Sequence, residues 1–137
     1  MQKIHGISLW GMIAIFIVLG IFAYLIGPKI FGISRHDQIE AVRTDINNIR
    51  NGLTQYKLDN GNYPSTEQGL DALVSAPTTS PEPRFWKEGG YIDALPTDPW
   101  GQDYQYENND GLIRVFSYGP DGKRGGSEID ASNIDSQ

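Results

Sequence analysis

Residues Ile7 to Ile26 (ISLWGMIAIFIVLGIFAYLI) form a run of twenty without a charge. At about 1.5 Å per residue a helix of that length spans roughly 30 Å, the thickness of a bilayer's hydrocarbon core. No other stretch limits so tightly what the chain can fold into. The run reads as a single-pass anchor, and the rest of the chain must fold beside it. A cleavable secretory signal fits poorly. Such signals carry an apolar region of about 7–15 residues and then a small-x-small cleavage site. Here the run is longer, and Gly27-Pro28-Lys29 follows it.

About 105 residues remain beyond the span, enough for one small domain. From Asn60 onward there are 13 acidic and 5 basic residues, against 4 and 6 before it. An acidic distal part argues against nucleic acid as a partner. The chain has no Cys, so it has no disulfide, thiolate nucleophile or zinc-thiolate site. Its domain must be held by packing or by a metal.

Gly27-Pro28 removes a helix hydrogen bond and is a place for a kink. Beyond it Ile39, Val42, Ile46, Ile49, Leu53 and Tyr56 recur at helical spacing and predict one apolar face. Gly52 inside this pattern costs about 1 kcal/mol relative to Ala, and Asn60-Gly61 is a stop signal. The amino half therefore reads as one long helix, apolar at its start and amphipathic at its end. From Gly61 to Trp100 six prolines predict mainly loop, with one short helix over Glu67 to Val74. Tyr104 to Tyr106 and Leu112 to Tyr118 read as strands, and Asn108-Asn-Asp-Gly111 between them as a hairpin turn. The tail from Gly119 is rich in Gly and Asp and cannot build a core alone.

Several motifs carry a resemblance. The leader ends Lys3-Ile-His5-Gly6 directly before the apolar run, and so resembles a type IV prepilin signal. Tyr56-Lys-Leu-Asp-Asn-Gly-Asn-Tyr-Pro64, Thr66-Glu-Gln-Gly-Leu-Asp-Ala-Leu-Val74, Leu95-Pro-Thr-Asp-Pro-Trp-Gly101 with Tyr104, and Phe116-Ser-Tyr-Gly-Pro-Asp-Gly122 follow in order. Together they resemble the major pseudopilins of type II secretion systems, from Gly6 to about Asn133. The resemblance implies an α+β, type IV pilin-like fold: a long N-terminal helix packed on a small antiparallel sheet, with a Gly/Asp-rich C-terminal loop. It implies a leader over 1–6, cut by a prepilin peptidase between Gly6 and Ile7, with methylation of the new amino terminus. A transmembrane stem over 7–31 and a periplasmic domain over 32–137 would follow, placing the chain in the bacterial inner membrane. Its partners would be copies of itself in a filament, minor pseudopilins and the inner-membrane secretion platform. Charge does not fix this orientation, because Lys3 lies on one side of the span and Lys29 and Arg35 on the other.

One position departs from the family pattern. The family carries Glu as the fifth residue after the cut, where this chain has Gly11. A carboxylate at mid-membrane costs roughly 2.5–3.5 kcal/mol unless paired, and in the family it is taken to meet a neighbour's amino terminus. Gly11 removes both the cost and the partner, which keeps a minor pseudopilin or another pilin-like filament subunit as an alternative. Pilins usually close their carboxyl loop with a disulfide, and this chain has no Cys. An unrelated membrane-anchored binding domain is the more distant alternative.

The tail admits two readings from composition: a solvated acidic segment or a metal loop. Asp121, Glu128 and Asp130 lie within ten residues, and Ca²⁺ takes about 6–8 oxygens from carboxylates and carbonyls. The spacing is not that of an EF-hand. The resemblance implies one Ca²⁺ here, with Asp121 as first carboxylate and Glu128 or Asp130 as second. Carbonyls of Tyr118, Lys123, Gly126 and Ile129 would complete the set. His5 and His36 have no nucleophile partner, so catalysis is not expected. Trp86, Trp100, Tyr63, Tyr91, Tyr104 and Phe116 are expected in the core. Gly20 and Ala23-x-x-x-Gly27 are small residues that let membrane helices approach closely.

Overall fold

The computed structural model describes residues 9–31, 34–126 and 128–130, and side chains within 25–31 lie outside the description. The chain divides into two compact units, residues 1–36 and 37–137. The first holds helix α1, Leu9–Phe31. Gly27 and Pro28 both fall within its helical span. A second helix, α2, runs Arg35–Asn60. Ser34 between them is outside either helix, so the expected single helix is interrupted there, with Gly32 and Ile33 outside the described residues. The local sequence explains a new start: Ser34-x-x-Asp37 has capping-box spacing, and Asp37 places a negative charge in the first turn.

α2 bears out its apolar stripe. Val42, Ile46, Ile49, Leu53 and Tyr56 are buried, and Ile39 is partly buried at the same face. Gly52 is buried too, for a reason its neighbours in sequence do not show. A Cβ there would lie 2.8 Å from Ile92 Cγ2, so the loop of Tyr91 and Ile92 packs directly on the helix backbone. The helix ends as Asn60-Gly61 predicts. Gly61 takes φ 83 and donates its N–H to the Lys57 carbonyl at 2.7 Å. The Asn60 side chain donates to the Tyr56 carbonyl and accepts from the Phe85 N–H at 2.9 Å, tying the loop to the helix end.

After Gly61 the chain is mainly irregular. The predicted short helix is a four-residue 3₁₀ helix, Leu70–Leu73, because Gly69 at φ 62 breaks the helical path before it. Ser65 and Gln68 exchange side-chain and backbone hydrogen bonds in a reciprocal cap. The Gln68 amide also donates to the carbonyls of Thr79 and Pro81, which holds the proline-rich loop without regular structure.

Three strands form an antiparallel sheet in the order β1 (Gln105–Asn109), β2 (Leu112–Ser117), β3 (Ile129–Asp130). Asn109 pairs with Leu112, leaving Asp110 and Gly111 as a two-residue turn with φ 51 and 91. That is the left-handed pair the Asp-Gly sequence favours. Leu70, Ala72, Leu73, Tyr104, Tyr106 and Val115 close over the α2 stripe as one core. Among the aromatics expected inside, Tyr104 and Phe116 are buried, and Tyr63, Trp86, Tyr91 and Trp100 are partly buried against the core. β3 gives the tail the order its composition lacks, pairing Ser117 with Ile129 and Phe116 with Asp130.

Candidate functional site

Two features lie outside this core: the surface of α1 and the loop between β2 and β3. α1 exposes large apolar side chains on every face, from Ile13 at 46% to Trp10 at 81%. A helix apolar all round is normally buried. Among the described residues no helix is long and apolar enough to cross a membrane. The run from Ile7 to Ile26 overlaps the description only in part, since Ile7, Ser8 and the last side chains fall outside it. The proposed cleavage point, Gly6 and Ile7, also lies outside the described residues. Gly11 sits in the opening turns of α1, and a Cβ on Gly20 would meet nothing within 4 Å.

The loop begins at a buried polar knot. Asp98 accepts from the N–H groups of Trp100 and Gln102 through one oxygen and from the Ser117 hydroxyl, at 2.6 Å, through the other. The Ser117 hydroxyl in turn accepts the Gly119 N–H at 2.9 Å. Both Asp98 and Ser117 are buried, so every acceptor here needs such a donor. The chain then makes two successive turns, Gly122 N–H to the Gly119 carbonyl and Gly126 N–H to the Lys123 carbonyl. Gly119, Gly122 and Gly125 take positive φ along this path.

Of the predicted ligands, Asp121, Lys123 and Gly126 come together. The Asp121 carboxylate accepts the Lys123 N–H at 3.2 Å. Its Oδ2 lies against the Gly126 backbone, in space that a Cβ at 126 would fill. Ile129 lies in β3, paired with Ser117, and Tyr118 comes directly after the end of β2. Glu128 turns elsewhere. Its Oε1 accepts the Gly125 N–H at 2.7 Å, and its Oε2 accepts from the Arg114 guanidinium at 2.9 Å. These bonds hold its carboxyl below the usual carboxylate range, the Gly125 bond contributing most. Arg114 also reaches Asp130, its Nε and a terminal nitrogen both 2.9 Å from Oδ2.

All the predicted donors are oxygen atoms, which suits a hard cation, and Gly126 leaves the Asp121 carboxylate room. Glu128 and Asp130, by contrast, are both held by a guanidinium. Among the described residues no three acidic or His side chains are arranged to hold a metal. Arg114 escaped the sequence reading, although alternation along β2 puts it on the same face as Phe116. Its guanidinium lies 4.2 Å from the Phe116 ring centroid.

A family model described as type II secretion system (T2SS), protein G, matches residues 29–136. The type II secretion system core protein G of Vibrio cholerae is 49% identical over 129 residues, covering 92% of this chain and 87% of that one. The protein of the same name from Pseudomonas aeruginosa is 45% identical over 130 residues, covering 92% and 90%. The crystal structure of the major pseudopilin from the type 2 secretion system of enterohaemorrhagic Escherichia coli superposes with a TM-score of 0.65. It shares 46% identity and covers 69% of this chain and 85% of that one.

Proposed function

The chain belongs to the type II secretion system protein G family, and on that premise we propose that it acts as a major pseudopilin, a structural subunit rather than an enzyme. A stem over 7–31 anchors it in the bacterial inner membrane, and residues 32–137 lie in the periplasm. Subunits leave the membrane and stack through their stems into a short filament that helps move folded proteins across the outer membrane. Prepilin peptidase cuts between Gly6 and Ile7 first, and minor pseudopilins and the inner-membrane platform are the other contacts.

The observation that carries this reading is the surface of α1. Its apolar side chains are exposed within the chain, so lipid or neighbouring stems must cover them. Intact-mass analysis of the chain extracted from membranes of cells with an active peptidase should show loss of the first six residues. In-cell crosslinking in the presence of the secretion machinery should give a ladder of multimers. The full-length mass, or monomer alone, would overturn the reading.

Ca²⁺ at the loop belongs to the same proposal. Asp121 would supply a carboxylate, with Tyr118, Lys123, Gly126 and Ile129 as carbonyl donors and Glu128 or Asp130 as the second carboxylate. The ion would join the start of the loop to its end at β3. A ligand bound only by the folded state adds about 2.7 kcal/mol at a hundredfold excess over Kd. For a body of this size that raises Tm by roughly ten to twenty degrees, taking about 4–8 °C per kcal/mol. Asp121→Ala should abolish the shift. An equal melt in Ca²⁺ and in chelator would remove the ion from the account.

A further inference from the structure

We propose that Arg114 is a built-in competitor for the metal loop, a guanidinium that holds Glu128 and Asp130 closed until a divalent cation displaces it. The inference rests on the Ca²⁺ reading above.

The geometry is specific. Arg114 projects from the middle of β2, and β3 brings Asp130 opposite Phe116 in the same sheet. Three contacts of 2.9 Å join the guanidinium to Glu128 Oε2 and Asp130 Oδ2. Both carboxylates are largely shielded, at 15% and 12% exposure, while Arg114 is 40% exposed. A planar fork fixed between two carboxylates and beside a ring is the arrangement arginine favours over lysine. Glu128's other oxygen is engaged by the Gly125 N–H, so its whole carboxylate is committed to closing the loop.

A cation at Asp121 that recruits Glu128 or Asp130 needs the lone pairs these donors engage. It also meets a like charge at close range. The two states are therefore exclusive at that carboxylate, and Arg114 lowers apparent Ca²⁺ affinity by the free energy of its own contacts. Its exposure gives it a route out to solvent. The guanidinium contacts act as a lock on the end of the loop, and Ca²⁺ replaces that lock instead of ordering an open segment.

Two measurements on the full chain in detergent test this. By calorimetric titration with CaCl₂, Arg114→Gln should bind roughly tenfold tighter than the unmodified chain, the equivalent of one charge-assisted hydrogen bond. Arg114→Lys, which keeps the charge and loses the fork, should fall between them. Equal affinity in all three would overturn the competition and leave the Ca²⁺ reading standing. Absence of binding in all three would remove both. Binding by Arg114→Gln alone would overturn displacement, because the cation would then never replace the guanidinium in the unmodified chain. The second measurement needs no variant that must fold. The Arg114 Nε–H signal in ¹⁵N spectra should be shifted by its bond to Asp130 and should move to the position of a solvated arginine on Ca²⁺ saturation. A signal that stays in place while Ca²⁺ binds would contradict displacement.

Discussion

α1 and α2 are helices of similar length in one chain, and they satisfy their apolar side chains in opposite ways. α2 carries its apolar residues on one stripe and buries them against the 3₁₀ helix and the sheet. α1 is apolar on every face and buries little, with Phe16 at 69% and Trp10 at 81% exposure. The partner of α2 is therefore inside the molecule, and the partner of α1 is outside it. The second helix builds the core of the body, while the first leaves its apolar surface open within the chain.

The largest expected effect separates them by charge. Ile49→Asp puts an unpaired carboxylate in the α2 core and should cost about 4 kcal/mol or more, enough to unfold the body. Ile15→Asp in α1 should leave the melt of the body unchanged while lowering the share of the chain held in the membrane fraction. Circular dichroism melts and membrane fractionation read the two outcomes. Equal loss of the fold from both would erase the contrast.

Glycine sharpens it. Gly52→Ala gains helix propensity of about 1 kcal/mol but drives a methyl to 2.8 Å from Ile92 Cγ2. Overpacking costs about 1–3 kcal/mol, so the net change in a denaturant melt should be destabilising. Gly20→Ala meets open space, so it should not alter that melt. A stabilised Gly52→Ala would show that the Ile92 loop yields freely.

Gly11→Glu tests the stem from the other side. A carboxylate there can pair with the amino terminus of a neighbouring subunit in low dielectric, where attraction exceeds its value in water. Crosslinked multimers should increase with the body's melt unchanged. A loss of multimers would mark Gly11 as a position adapted to this filament.

The smallest effect lies at high pH, in the core on α2's side. Tyr104 and Tyr106 are held above their ordinary value, chiefly by burial, with the Asp45 hydrogen bond adding to Tyr104. Their neutral forms are favoured when folded. This contribution is complete below about pH 10, the unfolded value, and is lost as pH rises through the higher folded values. Melts should fall steeply above pH 10, less so in Tyr106→Phe. An unchanged alkaline slope in that variant would move the titration elsewhere.

Local signals are legible in the amino-acid sequence. The α2 stripe and the Asn60-Gly61 stop depend on residues a few positions apart and are found where their spacing predicts. The turn expected over Asn108 to Gly111 narrows to Asp110-Gly111 because β1 extends through Asn109. Non-local features are not legible there. The role of Gly52 depends on Ile92, forty residues on. Arg114 meets Glu128 and Asp130 only because β3 pairs with β2, and a two-residue strand leaves no periodicity to read. The Asp98 knot likewise joins two motifs, Leu95 to Gly101 and Phe116 to Gly122, that lie well apart in the sequence. The interruption at Ser34 has a local signal, the Ser34-x-x-Asp37 spacing, hidden by the apolar pattern that continues past it.

If lipid or neighbouring stems cover α1, its surface and the exposed face of α2 differ in their access to water. Phe16 and Leu58 have nearly equal exposure in the isolated chain, 69% and 72%. The chain has no Cys, so Phe16→Cys and Leu58→Cys each introduce a single thiol. With the protein in its native membranes, a water-soluble maleimide should label Leu58→Cys rapidly and Phe16→Cys only after denaturation in detergent. Equal labelling of both in intact membranes would contradict the account.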